Sequence, residues 1–402
     1  MNFKRSISLL FVGFSLLSGL VLSSGCQKDP DIPEEIERTV LVYMAPGDGG
    51  ASDLSSFLAY NATQMEAGMK SLVGANGRLL CLYDLTGKNT QLLEFTKTGR
   101  KVLIEYGEVL NTAKIETFQR VLNEVKDLAP AKGYGLILSS HGSGWLPPPT
   151  GAFRSSESPI LQQSIMGTGT PLRPTMPDYG PTKAWGQHGS DWMTTEDLVA
   201  ALPDNGFDFV MFDACYMASV ELLYALRQKA PYFIVSPTEI MGEGFPYHQM
   251  VGQFFTAKTS LETGLKEACR IYFNYYNSKV GQNRAASIAL IHTPALVSLA
   301  TKMKNLPITL NEDSISTIQK FNRQSSYPNY DFTDAYLKSQ GEGGTIQWET
   351  ELNNVVLFVR HTDYFWDLKL NQCSGLSTYI PLSSSPVTNA AYRETAWYKA
   401  TN

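Results

Sequence analysis

Two side chains of this sequence, His141 and Cys215, make the pair that thiol acyl transfer needs, and each stands where an apolar run stops. The first run reads GLILSSHGSGW over residues 135–145, and the second reads FDFVMFDACYMASVEL over 207–222. A thiolate attacks a carbonyl carbon, and an imidazole moves the proton and protonates the leaving amine. A helix is expected to begin at about Met217, which would set Cys215 at the positive end of a helix dipole and lower its thiol pKa. The same turn would offer free backbone N–H groups to an oxyanion. Gly142 and Gly144 leave the turn after His141 bare, so that a substrate carbonyl can approach; the N–H of Gly142 is the candidate oxyanion donor. Taken singly, a strand-end histidine and a buried thiol are common structural residues, and it is their joint occurrence that carries weight. The rival nucleophile Ser143 lies in H-G-S-G, which does not meet the G-x-S-x-G elbow of a serine hydrolase. His188, His248, His292 and His361 read as surface or capping residues.

Both runs must be strands for this chemistry to assemble. Short apolar runs bounded by turn residues recur at 39–44, 78–85, 134–140, 207–214, 232–237, 286–292 and 375–381, as expected of strands buried on both faces. Between them, 52–70, 113–129, 194–202, 217–230 and 261–278 carry apolar residues at three- and four-residue steps. Thr194 and Thr195 before Glu196 and Asp197 mark a helix start. Alternating strands and helices give an α/β class with a mainly parallel central sheet and helices on both faces. If the strands ending at His141 and Cys215 are neighbours, both side chains reach the carboxyl rim where such sheets hold their sites. Residues 146–190, with eight prolines, form a long irregular stretch, of a length that is usually functional or disordered. From 301 to 402 the pattern is helical and polar until GLSTYIP, and predicts a C-terminal helical subdomain packed on a main domain of 38–300.

The chain has 402 residues, 43 % of them hydrophobic and 18 % charged, with a formal net charge of -5. That is ordinary globular composition, and the absence of a long basic run speaks against nucleic acid as a partner. Residues 1–26 have a basic head, an apolar middle and a small-residue exit, the pattern of a secretory signal. LSSGC ending at Cys26 resembles a bacterial lipoprotein signal, which implies lipidation of Cys26 and an exported, membrane-anchored protein at the periplasmic or cell surface; Ser23 departs from the commoner leucine. Residues 27–37 are polar and proline-bearing, as suits a tether. Of the other cysteines, Cys81 reads as core, no pair has metal-ligand spacing, and a bridge between Cys269 and Cys373 stays open.

SSHGSGW and FDACYMASVE together resemble the clostripain family of cysteine peptidases, within the caspase-like clan. TVLVYMAPGDGGASDL, MTTEDLVAAL, IVSPTEIMGEGFPY and GLSTYIP fit the same pattern, so the resemblance spans roughly 38–382. It implies a caspase-like fold, a dyad of His141 and Cys215, and endopeptidase activity after Arg or Lys. Asp213 matches an acidic position associated with the specificity pocket, where a carboxylate can hold a guanidinium or ammonium group; a helix-capping role is the simpler alternative. Glu239 and Glu243 are further candidates for that acidity. Family members are made as inactive precursors that cut themselves between the His and the Cys. Arg154 and Lys183 are the candidate bonds here, whereas Arg173 precedes Pro174 and is a poor one. No cofactor is required. Calcium stays open and unassigned, because APGDGG is shorter and less acidic than the family's usual stretch. The competing expectation is a catalytically inactive peptide-binding or uptake lipoprotein on the same fold, against which the presence of both His141 and Cys215 argues.

Overall fold

Central strands buried on both faces build a sheet with two cores. A computed structural model of the chain describes residues 35–47, 53–74, 76–146, 185–304, 306, 308, 310, 312–323, 329–340, 348–383 and 385–402. Five strands run parallel: β1 (Arg38–Met44), β2 (Gly77–Tyr83), β5 (Gly133–Ser139), β8 (Phe209–Asp213) and β9 (Tyr232–Val235). β3 (Gln91–Thr96) and β4 (Gly99–Glu105) extend one side antiparallel, and β10 (Ser287–His292) and β12 (Val356–His361) extend the other. The order is β12-β10-β9-β8-β5-β1-β2-β3-β4. This is the α/β class with a mainly parallel sheet read from the sequence.

Successive side chains of a strand face opposite ways. Leu41 and Tyr43 of β1 therefore join one core with Leu136, Leu138, Val210 and Phe212. Val40, Val42 and Met44 join the other with Ile137, Phe209 and Met211. The first core is closed by α2 (Ile115–Leu128), α3 (Thr195–Ala201), α4 (Val220–Ala225) and α7 (Leu296–Met303). The second is closed by α1 (Ser55–Ser71), α5 (Tyr247–Met250) and α6 (Leu261–Asn277). α3 begins with the expected cap: Thr194 Oγ1 accepts from the Asp197 N–H, and the Asp197 carboxylate accepts from the Thr194 N–H.

Three expectations about elements change. The helix read over 217–230 is α4 alone, because residues 214–219 form a turn that is held against the chain after β9: the Tyr216 and Ala218 N–H groups donate to Thr238 O and Ser236 O. GLSTYIP is not a strand of the main sheet. Only Ser377–Thr378 pair, with β11 (Tyr330–Asp331), and Ser377 bridges to Ser219. The last residues read as irregular loop form β6 (Trp185–His188), which turns back into β7 (Asp191–Met193). Residues 36–402 form one unit, and β12 carries the stretch after 301 into the main sheet. Cys269 and Cys373 are free thiols, so the open bridge is not made. No helix among the described residues is long and apolar enough to cross a membrane.

Candidate active site

β5 and β8 are adjacent and parallel, with Ser139 opposite Asp213 at their carboxyl ends. His141 lies two residues beyond Ser139, and Cys215 lies two residues beyond Asp213. Equal offsets from a matched register bring both residues to the same rim, and the Ser140 N–H donates to Asp213 O to carry the pairing past the strand ends. His141, Cys215, Ser139, Asp213 and Ala214 line one cleft, with Asn61 and Leu58 of α1 and Ile240, Met241, Gly242 and Gly244 of the chain after β9. The cleft is small, with a cavity volume of about 40 Å³, below the ~300–1,000 Å³ of a typical ligand pocket.

The bareness of the turn after His141 has a cause beyond substrate access. A Cβ built on Gly142 would stand 2.7 Å from Cys215 O, 2.8 Å from Met217 Sδ and 2.9 Å from Ala214 Cβ. The histidine turn and the cysteine turn therefore press together at Gly142, which is why no side chain fits there. Gly144 has φ +69 and lies against Tyr216 O and Ser219, a conformation open to glycine at no steric cost. The two glycines let the two turns nest.

Cys215 is partly exposed, and its Sγ accepts a hydrogen bond from the Ile240 N–H at 3.3 Å. Burial of the sulfur pushes the thiol up to about 12; the Glu239 and Asp213 carboxylates add to the rise, and the Ile240 N–H and Arg323 oppose it. The expected lowering by a helix terminus is not found. α4 starts at Val220, five residues on, and the Oγ of its cap Ser219 accepts from the Leu222 N–H. The dipole decays within the first turn of a helix, so it does not reach Cys215.

Asp213 is buried at the cleft. Its Oδ2 accepts from Tyr247 Oη at 2.8 Å, Ser139 Oγ at 3.1 Å and Asn61 Nδ2 at 3.4 Å. It does not cap α4. Burial raises its carboxyl to about 6 against the pull of Tyr247 and Ser139. Among the described residues no cation pairs with it. Asn61 adds a buried Oδ1 with no partner among the described residues. Glu239 is placed differently: its carboxylate is held by Arg323 through Nε at 2.9 Å and Nη2 at 2.7 Å, and it does not line the cleft. Glu243 accepts from Tyr275 Oη at 3.4 Å and is not part of the lining either.

Among the described residues, no cluster of three or more His, Cys, Asp or Glu side chains could hold a metal ion. Cys26, Arg154 and Lys183 lie outside the described residues. Of the other histidines, His188 stands at the end of β6, 3.7 Å from buried Asp84; His248, His292 and His361 do not line the cleft. Asn61 and Arg323 carry no local motif and were not legible in the sequence. Tyr247 ends IVSPTEIMGEGFPY and Ser139 lies inside SSHGSGW, but the meeting of both with Asp213 is set by the fold.

Residues 178–360 match a family model described as the clostripain family. Comparison with curated proteins finds no match. Among solved structures, an inactive zymogen C11 protease from Parabacteroides distasonis is 28 % identical, with a TM-score of 0.71 over 92 % of this chain and 99 % of that one. A secreted C11 cysteine protease from Bacteroides thetaiotaomicron, in complex with an irreversible peptide inhibitor, is 27 % identical, with a TM-score of 0.69 over 91 % of this chain and 99 % of that one. A further secreted cysteine protease structure from the same organism, 23 % identical, shares the fold at a TM-score of 0.73 over 92 % of this chain and 100 % of that one.

Proposed function

The chain belongs to the clostripain family of cysteine peptidases, and from that premise we propose that it is an endopeptidase cleaving after Arg or Lys, with Cys215 as nucleophile and His141 as proton carrier. The observation that carries this assignment is the β5–β8 register, which brings His141 and Cys215 to one cleft. A thiol held near 12 is protonated at neutral pH, so attack needs a base at the moment of reaction. The Cys215 proton passes to the imidazole as the sulfur bonds to the substrate carbonyl carbon. The imidazolium then protonates the departing amine as the peptide C–N bond breaks, and water cleaves the thioester to regenerate the thiol. The N–H of Gly142, beside the cysteine turn, is the donor proposed for the oxyanion.

Asp213 supports the basic preference. It is a buried carboxylate with three neutral donors, and a substrate cation would supply the charge partner that it lacks. Glu239 is already neutralised within the chain, so the proposed pocket acidity rests on Asp213, with Glu243 as an outer contributor. We also propose that the protein is exported and lipid-anchored at Cys26, and made as a precursor cut at Arg154 or Lys183. The similarity to an inactive zymogen supports the precursor form. The sequence pattern of residues 1–26 supports the anchor.

The test compares soluble protein of residues 27–402 with its Cys215→Ala twin, by intact mass, N-terminal sequencing and hydrolysis of fluorogenic Arg and Lys peptides. Wild type is expected to be cut after Arg154 or Lys183 and to turn over the basic peptides, with the variant whole and silent. Turnover that survives Cys215→Ala would end the assignment of the nucleophile.

A further inference from the structure

Two consecutive residues far along the chain grip both flanks of the cysteine turn. Asn322 Oδ1 accepts from Tyr216 Oη at 3.4 Å, and Tyr216 directly follows Cys215 with φ +61. Arg323 holds Glu239 by a two-pronged ion pair, and Glu239 directly precedes Ile240, whose N–H donates to Cys215 Sγ. The guanidinium is itself fixed from behind, with its Cζ 4.3 Å from the centroid of the Trp366 ring. Trp366 sits at φ +57, rare for an aromatic residue, and its indole Nε1 donates to Sδ of Met241, a cleft residue, at 3.2 Å. A backbone held in a sparsely populated region persists only where its surroundings fix it, and such residues gather at functional sites.

We propose that Arg323 is a positioning residue for Cys215: it neutralises the Glu239 charge beside the sulfur and fixes the Glu239–Ile240 peptide whose N–H supports the thiolate. A planar fork suits this task, since two parallel hydrogen bonds set the orientation of the carboxylate as well as its charge. The remaining groups that face the sulfur are the Asp213 carboxylate, the Tyr272 phenol and the His141 ring. Arg323 is the cation among them, and it stands against two carboxylates. Thr238 Oγ1 and Ser236 Oγ, both donating to Glu239 O, hold the same peptide from the sheet side. Glu239 thus serves the nucleophile and not the substrate. The inference rests on Cys215 being the nucleophile, but its test does not need turnover.

The test follows alkylation of Cys215 by iodoacetamide against pH, read by peptide mass spectrometry because Cys373 is also a partly exposed free thiol. Wild type, Arg323→Gln, Arg323→Lys, Glu239→Gln and the Arg323→Gln/Glu239→Gln double variant are compared. Freeing the Glu239 charge in Arg323→Gln is expected to raise the midpoint by about one pH unit, which is about tenfold slower alkylation well below it. Arg323→Lys, with a point charge in place of the fork, falls between. Glu239→Gln leaves Arg323 unopposed and moves the midpoint down, and the double variant returns toward wild type. Opposite shifts for the two single variants support the clamp. Shifts of the same sign, or none, overturn it, because loss of local structure alone would move both alike. If Arg323→Gln fails to fold, the downward shift of Glu239→Gln and the intermediate position of Arg323→Lys decide. Should Cys215→Ala retain peptidase activity, the nucleophile assignment falls, while the alkylation midpoints still decide the clamp.

Discussion

A buried carboxylate with only neutral donors around it is a costly group, and Asp213 is one. Its raised pKa gives the site a handle on pH. In the proposed pocket the group is neutral below about 6 and would offer a substrate cation little; above that it is charged. The ratio of kcat/KM for an Arg peptide to that for a neutral isostere should therefore climb as pH rises through about 6, since kcat/KM reports the free enzyme. Asp213→Asn keeps an acceptor for Ser139 and Tyr247 but removes the charge. At pH 7.5 it should lower kcat/KM for basic peptides by roughly 100-fold, and flatten the ratio across pH 5 to 8. Steady-state assays with matched peptides check both outcomes. His141 and Cys215 could be read from sequence because an ionisable residue at the end of an apolar run is visible locally. The neutralisation of Glu239 was not, because Arg323 stands 84 residues away.

Elements set the distances that those residues need. The histidine and cysteine turns meet at Gly142, so Gly142→Ala must push apart backbone as well as side chains. Overpacking of this kind costs about 1–3 kcal/mol, and here the displaced backbone includes the carbonyl of Cys215, the proposed nucleophile. Peptide turnover in this variant should fall by more than its loss of stability accounts for, as seen by comparing activity at saturating substrate with the fraction folded in urea. A contrasting case is α3, whose capping box lies away from the cleft. Thr194→Ala should lower unfolding stability by about 1 kcal/mol and leave the kinetics of the folded fraction alone. The capping box was legible because its signal lies within four residues. The true start of α4 was not, because hydrogen bonds from Tyr216 and Ala218 to the chain after β9 hold residues 214–219 out of the helix.

On the scale of the whole molecule, the stretch after residue 301 closes around the cysteine turn. Asn322 and Arg323 hold its flanks, the Ser377 N–H donates to Ala218 O, and buried Glu221 of α4 accepts from Thr378 Oγ1 at 3.0 Å and the Tyr379 N–H at 2.9 Å. Burial raises Glu221 from 4.5 to about 7, against the pull of Tyr379 and Thr378. A carboxyl raised on folding holds its proton more tightly in the folded chain than in the unfolded one. Stability is then lost as pH climbs from the unfolded pKa through the folded one. Between pH 5 and 8 the wild type should lose stability through Glu221, and Asp213 contributes in the same sense over a lower window. Glu221→Gln should remove up to about 2–3 kcal/mol of that pH-dependent loss, which denaturant unfolding at the two pH values measures.

The sequence by itself determined the class of fold, the two strand ends that carry His141 and Cys215, and the family they belong to. Those features depend on short-range pattern: apolar runs, turn residues and caps within a few positions of each other. Only the tertiary structure decided that β5 and β8 are neighbours in matching register, that Gly142 is bare because the cysteine turn lies against it, and that Asp213 faces the cleft while Glu239 is claimed by Arg323. Each of those is a meeting of residues distant in the chain. Strand order and the partner of a buried charge are settled by packing, which no local pattern encodes.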